Sequence, residues 1–378
     1  MDFSLNEEQK MFQTSTRRFL TSKGDTSLAR DYSEGNEQIL EELWSGLVDL
    51  GYMGITIPEI YGGLELGSST LVPILEEMGR SVIPGLYPET VAFAVPLLMK
   101  YGSETQKSRY LPEIAAGKRK FTLALYESDG RFSAKSIQLP AKMENNEYVL
   151  QGSKTLVPHA DIAETIIVPV RTDGKNSMDG ISLLLIDTCQ VNLKFEKLSN
   201  IDQTRKLMKV MFEDVHISNE QLLGPENKGW EVLQFGFNNL NTALCSIMVG
   251  GMERIVEMST EYAKTRVQFG QPIGRFQAVK HKIVDMKLKL ENARSLSFYA
   301  AWALEEKSDD LVESISLARA FINESYIKSA ENNIQVHGGM GYTWEFDCHL
   351  YLKRALSLEN HLGSPTYHRE VAISELGC

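Results

Sequence analysis

The sequence is poor in cysteine. Cys189, Cys245, Cys348 and Cys378 are its only four, far apart in 378 residues. No CxxC or Cys/His ligand spacing occurs, which excludes a zinc motif and a disulfide framework, and no metal site is expected. Long hydrophobic runs are absent as well. None approaches the ~20 residues of a membrane span, so no membrane partner is expected. The opening Met1-Asp2-Phe3-Ser4 has neither a basic n-region nor an apolar h-region. No signal peptide is expected, and a soluble, cytoplasmic protein is the default. Positive charge is also short: 39 basic residues face 50 acidic ones, for a net charge of −11. A general nucleic-acid binder needs a positive face to displace counterions from phosphates, so no nucleic-acid partner is expected. Apolar residues are not scarce, at 43%, and that excludes a disordered chain. The length exceeds one ordinary core and points to two or three domains.

The first third reads as helices. Asn6–Phe19 carries Phe12, Thr16 and Phe19 on one face, and Ser4 with Glu7 fits a capping box at its start. Gln38–Leu50, Thr70–Met78, Glu89–Lys100 and Glu104–Ala116 follow, with glycines at Gly51, Gly54, Gly62 and Gly63 marking loops. From about Lys120 the period changes. Phe121–Leu125, Ile137–Met143, Tyr148–Gln151, Thr165–Val170, Ile181–Ile186 and Leu207–Phe212 are short and rich in β-branched or large apolar residues. Polar turns such as Asn145-Asn146 and Asp173-Gly174 separate them. Without intervening helices, these strands suggest an antiparallel β-domain and not a Rossmann sheet. After Gly229, apolar residues recur every three or four positions over long stretches, as in Leu233, Phe237, Leu240 and Leu244, or Leu311, Ile315, Ala318, Ile322 and Tyr326. Such stripes form a bundle. The expected fold class is therefore α+β: an N-terminal helical domain at 1–118, a middle antiparallel β-domain at 119–228 and a C-terminal four-helix bundle at 229–378.

Three local features carry chemistry. Between Lys264 and Arg294 eight basic residues face only Asp285 and Glu291, a local surplus of six inside an acidic chain. For most of these lysines a solvated helix face is the simpler explanation. Arg266 differs, because Arg266-Val267-Gln268-Phe269-Gly270 lies between two long helices. A turn there presents a guanidinium, an amide and an aromatic face together, which suits a diphosphate and a stacked ring. The second feature is His337-Gly338-Gly339-Met340-Gly341, where glycines allow close backbone approach to a ligand. A helix C-cap and turn also account for two of these glycines. The third is the loop Tyr126-Glu127-Ser128-Asp129-Gly130 leaving the first strand, equally readable as a ligand contact or an ordinary turn.

Taken together, the chain resembles the acyl-CoA dehydrogenase family over essentially its whole length. The resemblance is carried by Phe3-Ser4-Leu5-Asn6-Glu7-Glu8-Gln9, Ile57-Pro58-Glu59-Ile60-Tyr61-Gly62-Gly63, Tyr101–Lys107, Tyr110-Leu111-Pro112 and, most specifically, Arg266–Phe276 and Gln335–Gly341. It implies FAD as cofactor, an acyl-CoA substrate, oxidation of the Cα–Cβ bond, electron exit to an electron-transferring flavoprotein, and a flavin shared across a subunit interface. Fatty acid metabolism is the implied setting. The residues matching the adenine and diphosphate side are Arg266, Gln268, Phe269, Gln335, Gly338 and Gly339. Those falling on the isoalloxazine side are Leu125, Glu127, Val157 and Pro158. That second half departs from the family pattern: Tyr126–Arg131 replaces a Thr-Glu-Pro-x-Ala-Gly-Ser-Asp loop, and Leu156-Val157-Pro158 replaces Trp-Ile-Thr. Proline has neither a hydroxyl nor an N–H to donate.

The catalytic glutamate is missing from both places where the family carries it. The C-terminal Glu-Gly-Thr becomes Leu362-Gly363-Ser364, and the alternative helix position falls on or beside Leu240-Asn241. Leucine cannot accept a proton, and α-proton abstraction needs a base within hydrogen-bond reach. Glu359 and His361 are the nearest titratable substitutes. Two readings follow. In one, the chain is a competent homo-oligomeric dehydrogenase with a displaced base. In the other, it is the base-lacking member of a hetero-oligomer with a second dehydrogenase subunit. Gly341-Tyr342-Thr343-Trp344-Glu345, His349-Leu350-Tyr351, Lys353-Arg354 and Gly152–Val168 are similar to subunits of bacterial heteromeric dehydrogenases, and the split between intact and lost contacts favours the second reading. A flavin-dependent monooxygenase of the same fold and a non-catalytic partner subunit are the alternatives.

Overall fold

The computed structural model describes residues 5–173 and 178–377. Ser4 of the expected capping box, Gly174 of the expected turn and Cys378 lie outside them. In chain order the elements are α1 (Glu7–Ser22), α2 (Ser27–Ser33), α3 (Gln38–Asp49), α4 (Leu71–Arg80), a wide helical stretch (Pro88–Ala94), α5 (Val95–Tyr101) and α6 (Glu104–Ala115). Eight strands follow: β1 (Phe121–Leu123), β2 (Ala141–Glu144), β3 (Glu147–Pro158), β4 (Thr165–Arg171), β5 (Ile181–Asp187), β6 (Lys194–Leu198), β7 (Leu207–Ser218) and β8 (Leu222–Leu223). The last part is α7 (Gly229–Thr265), the hairpin β9 (Val267–Gln268) and β10 (Gln271–Pro272), α8 (Gln277–Glu306), α9 (Leu311–His337), α10 (Cys348–Glu359) and α11 (Pro365–Glu375).

Packing divides the chain into two compact units that do not follow chain order. One contains Leu40–Gly67 and Gly85–Leu240; the other contains Met1–Ile39, Ser68–Pro84 and Asn241–Cys378.

The first of these holds two four-stranded sheets, ordered β1-β4-β5-β8 and β2-β3-β7-β6. Strands β4 and β5 are buried along their full length, as near-continuous apolar runs require. With Tyr148, Leu150, Val210 and Phe212 they build one core. The expectation of a wholly antiparallel domain needs correction, because β1 pairs with β4 in parallel. The chain between them passes through the β2–β3 hairpin of the other sheet and so returns in the original direction. Strand β6 was not legible in the sequence. Its residues, Lys194-Phe195-Glu196-Lys197-Leu198, are mostly charged and exposed, as suits an edge that must resist pairing with other chains. The expected helix Glu89–Lys100 begins as a wider turn, with the Val95 N–H bonded to the Thr90 carbonyl. At the end of β5, the Asp187 carboxylate accepts hydrogen bonds from Arg109, Arg119 and the Thr165 hydroxyl, which anchors α6 to the sheet.

In the other unit, α1 starts at Glu7 with Asn6 as its N-cap, two positions after Ser4 in the sequence. The observed box joins Asn6 and Gln9: the Gln9 N–H donates to Asn6 Oδ1 at 2.8 Å and the Asn6 N–H to Gln9 Oε1 at 3.1 Å. Helices α4 and α7 meet backbone to backbone. A Cβ on Gly79 would lie 1.9 Å from the Ile247 carbonyl oxygen, and one on Gly250 would lie 1.8 Å from that of Glu76. No side chain fits at either point. Gly250→Ala therefore forces the helices apart, and a loss of about 1–3 kcal/mol in unfolding free energy is expected by urea denaturation. An unchanged midpoint would contradict this contact.

Candidate functional site

The segment after α7 folds as a two-residue hairpin. Phe269 and Gly270 at its tip have φ of 53° and 78°, the left-handed pair that matches strand twist in a type I′ turn. Glycine meets that requirement without strain, whereas Phe269 is a phenylalanine held there with 91% of its surface exposed. Its ring touches Phe276 edge-on, at 6.0 Å between centroids. Arg266 and Gln268 are exposed beside it. The tip therefore presents a solvated aromatic ring beside a guanidinium and an amide.

Helix α9 ends at His337, and Gly338 turns away with φ 59° and ψ −136°. A Cβ added to Gly338 or Gly339 would meet nothing within 4 Å, so an open cradle lies over this backbone. Gln335 is exposed one helical turn before it. The imidazole of His337 stacks on Tyr262 with centroids 4.3 Å apart, and Tyr262 is four residues before Arg266. This stack brings the base of the Arg266 hairpin and the glycine turn to the same end of α7 and α9. Burial holds the His337 imidazole below its ordinary pKa. Of the basic block read from the sequence, Arg294 is turned inward onto Glu76 and Glu253, and Lys287 pairs with Glu291 on its own helix.

The other predicted group, Leu125, Glu127, Val157 and Pro158, belongs to the β-sheet unit. Leu125 and Val157 are buried at 5% and 0% exposure, and Pro158 is buried too. The Pro158 carbonyl accepts the Thr122 hydroxyl at 2.6 Å. Glu127 Oε1 accepts the Lys154 ammonium at 2.7 Å and the N–H groups of Gln138 and Leu139, both at 2.9 Å. That oxygen serves the protein itself. Lys154 is fully buried, which pushes its pKa down to about 8. Between Lys154 and Val157 the β3–β7 register slips, with Leu156 at φ 54°. This bulge re-aims the chain beside the candidate loop, where the Thr155 N–H donates to the Tyr126 carbonyl at 2.8 Å.

Both positions expected for a base are closed. Leu240 is 1% exposed and Leu362 0%. Leu362 takes φ 57° and Gly363 φ 108°, where a Cβ would lie 2.5 Å from the Tyr367 ring. The turn is clamped from below by Arg319, which is fully buried. Its guanidinium donates to the His361 carbonyl at 2.6 Å, to that of Leu358 at 3.5 Å and to Asn323 Oδ1 at 3.1 Å. Asn323 in turn donates to the Glu359 carbonyl at 3.2 Å. Carbonyls at the end of α10 carry the negative pole of the helix and so solvate this cation. Glu359 and His361 are thus gathered into one turn with Leu362, and their carbonyls are tied to α9. His368, 2% exposed, lies against Gly363 from the other side.

Sequence reasoning missed Arg319, Asn323 and His368. A signal existed: Arg319 follows Ala318 on the stripe Ile315, Ala318, Ile322, Tyr326, where a charge faces the core. Among the described residues no group of three or more His, Cys, Asp or Glu is placed to hold a metal ion, and no helix is long and apolar enough to cross a membrane.

Family models for the acyl-CoA dehydrogenase N-terminal, middle and C-terminal domains match residues 6–118, 122–215 and 227–376. A probable acyl-CoA dehydrogenase of Bacillus subtilis is 28% identical over 386 residues, covering 100% of both chains. A FAD complex of PigA superposes with a TM-score of 0.92 at 27% identity, covering 100% of this chain and 99% of that one. A chain in the structure of the electron transferring flavoprotein of Acidaminococcus fermentans superposes with a TM-score of 0.92 at 26% identity, over 100% of this chain and 99% of that one.

The buried turn generates a pH prediction. Burial, reinforced by Arg319, pushes the His368 pKa down to about 3, against about 6.5 in an unfolded chain. Between these values the unfolded state binds the extra proton, so stability falls as pH drops below about 6.5. His368→Gln is expected to remove about 2 kcal/mol of the stability lost between about pH 7 and pH 5, read from urea midpoints. An identical pH slope in the variant would contradict the assignment.

Proposed function

Since the chain belongs to the acyl-CoA dehydrogenase family of flavoproteins, we propose that it serves the α,β-dehydrogenation of an acyl-CoA thioester as a subunit without the general base. The reading is carried by one contrast. The Arg266 hairpin and the Gly338-Gly339 cradle are open and equipped, whereas Leu362 and Leu240 are alkyl groups buried from solvent. Bound FAD supplies a two-electron hydride acceptor for the β-hydrogen.

The residues of this chain divide the remaining work. Arg266 offers a planar fork of donors for a diphosphate, and Gln268 adds an amide beside it. Phe269 gives an apolar face, exposed enough to cover a ring held on another subunit. Gly338 and Gly339 let a cofactor reach the backbone. At the ring side, Pro158 donates nothing and Glu127 Oε1 is spent on Lys154 and two backbone groups. The clamp on the His361 and Glu359 carbonyls opposes any shift of the chain that would swing Glu359 or His361 into the place of Leu362. The base therefore comes from a second dehydrogenase subunit, and the electrons leave to an electron-transferring flavoprotein. The likeness to a chain in an electron transferring flavoprotein structure supports that exit.

Purified alone, the chain is expected to hold well below one FAD per polypeptide. Co-expressed with a glutamate-bearing homologue, it is expected to elute as a complex with FAD. Arg266→Ala in this chain then weakens FAD retention about tenfold, the effect of losing a charge-assisted hydrogen bond. One tightly held FAD per chain in the isolated protein would overturn the subunit reading.

A further inference from the structure

A cluster of four glutamates and four arginines fills the space around the α4–α7 crossing. Most of it is conventionally paired. Glu77 takes a two-pronged contact from Arg17 on α1, at 2.8 and 2.6 Å. Glu257 takes Arg80 at 2.9 and 2.8 Å and Arg254 at 3.3 Å. Glu253 takes Arg80 at 2.9 Å and lies 3.7 Å from Arg17. Two members differ. Glu76, 2% exposed, has one oxygen, Oε1, with no hydrogen-bond partner. Its other oxygen lies 3.5 Å from Arg294 of α8. The same Arg294 nitrogen lies 3.2 Å from Glu253. One guanidinium is therefore shared between a carboxylate on α7 and a carboxylate on α4, and it is slightly nearer the former.

The backbone cannot relax this arrangement. The Glu76 carbonyl sits directly against Gly250 and the Ile247 carbonyl against Gly79, so α4 and α7 have no room to slide closer or turn. Side chains alone can respond to a change of charge. We propose that Arg294 is a swivel whose partner is set by the ionisation of Glu76: neutral Glu76 leaves Arg294 to Glu253, tying α8 to α7, and ionised Glu76 draws it across to α4. The charged groups on every packed element favour a switch at this point. Glu77 beside it and Glu253 across from it oppose ionisation, Arg294 favours it, and Arg17, Arg80 and Arg254 are already engaged by the other three carboxylates. Burial is the largest influence, and it pushes the Glu76 pKa up to about 7. The ordinary value is near 4.5. The folded state thus binds more protons than the unfolded one between these two values, and the Glu76 contribution to stability declines as pH rises through that window.

The test uses the full chain at about pH 6 and about pH 8, either side of the expected titration. Infrared difference spectra should show the band of a protonated buried carboxyl at the lower pH and its loss at the higher, and Glu76→Gln should abolish it. Double-mutant cycles then read the swivel itself. Coupling between Arg294→Met and Glu253→Gln should be larger at the lower pH. Coupling between Arg294→Met and Glu76→Gln should appear only at the higher. Gln is a neutral, near-isosteric stand-in for protonated Glu76, so that variant is expected to fold. A missing carboxyl band, or couplings that do not change with pH, would overturn the proposal.

Discussion

Two glycines set the distance between α4 and α7, and much of their unit depends on that distance. Gly79 and Gly250 place each helix backbone against a carbonyl of the other, closer than any side chain allows. At such a crossing the residues on either side are forced together, and here they are charged. Four carboxylates and four guanidiniums meet there, with Glu76 and Glu77 buried and Arg17 and Glu257 partly open to solvent. Buried ions are stable only when each finds a partner, so the helices are held by a set of pairings and not by apolar packing alone. Arg294, with two carboxylates to serve, is the place where that set has more than one solution.

A second buried cation in this unit, Arg319, meets the same constraint differently. Arg319 is buried without exposure, and it donates to the amide oxygen of Asn323 and to helix-terminal carbonyls. Those hydrogen bonds offset part of its burial cost and hold a turn in which Leu362 and Gly363 both have positive φ. The backbone shape of that turn is thus fixed although Leu362, buried within it, is an alkyl group. A turn kept in shape without its acid is what a subunit would retain if it assembles with a catalytic partner but does not abstract the proton.

Much of this was legible in the sequence. The three-part α, β, α order follows from a change of hydrophobic period at Lys120 and again at Gly229. The Arg266 hairpin was visible because a glycine and an aromatic stand between two long apolar stripes. What failed did so for identifiable reasons. Strand β6 has no apolar alternation, since edge strands are kept charged. The parallel pairing of β1 with β4 depends on a chain crossing between sheets, which no local pattern records. Glu127 reads as a loop residue, yet its carboxylate is claimed by Lys154 from a strand 27 positions away. Arg319 was missed although it lies on an apolar stripe, where a charge faces the core.

The central claim is that this chain keeps the cofactor's adenine side and lacks the proton-abstracting group. It is tested most directly by mixing the isolated chain, supplied with excess FAD under anaerobic conditions, with acyl-CoA thioesters of different chain length. The account predicts an unchanged flavin spectrum and no enoyl thioester. Bleaching of the flavin with matching enoyl product would contradict it.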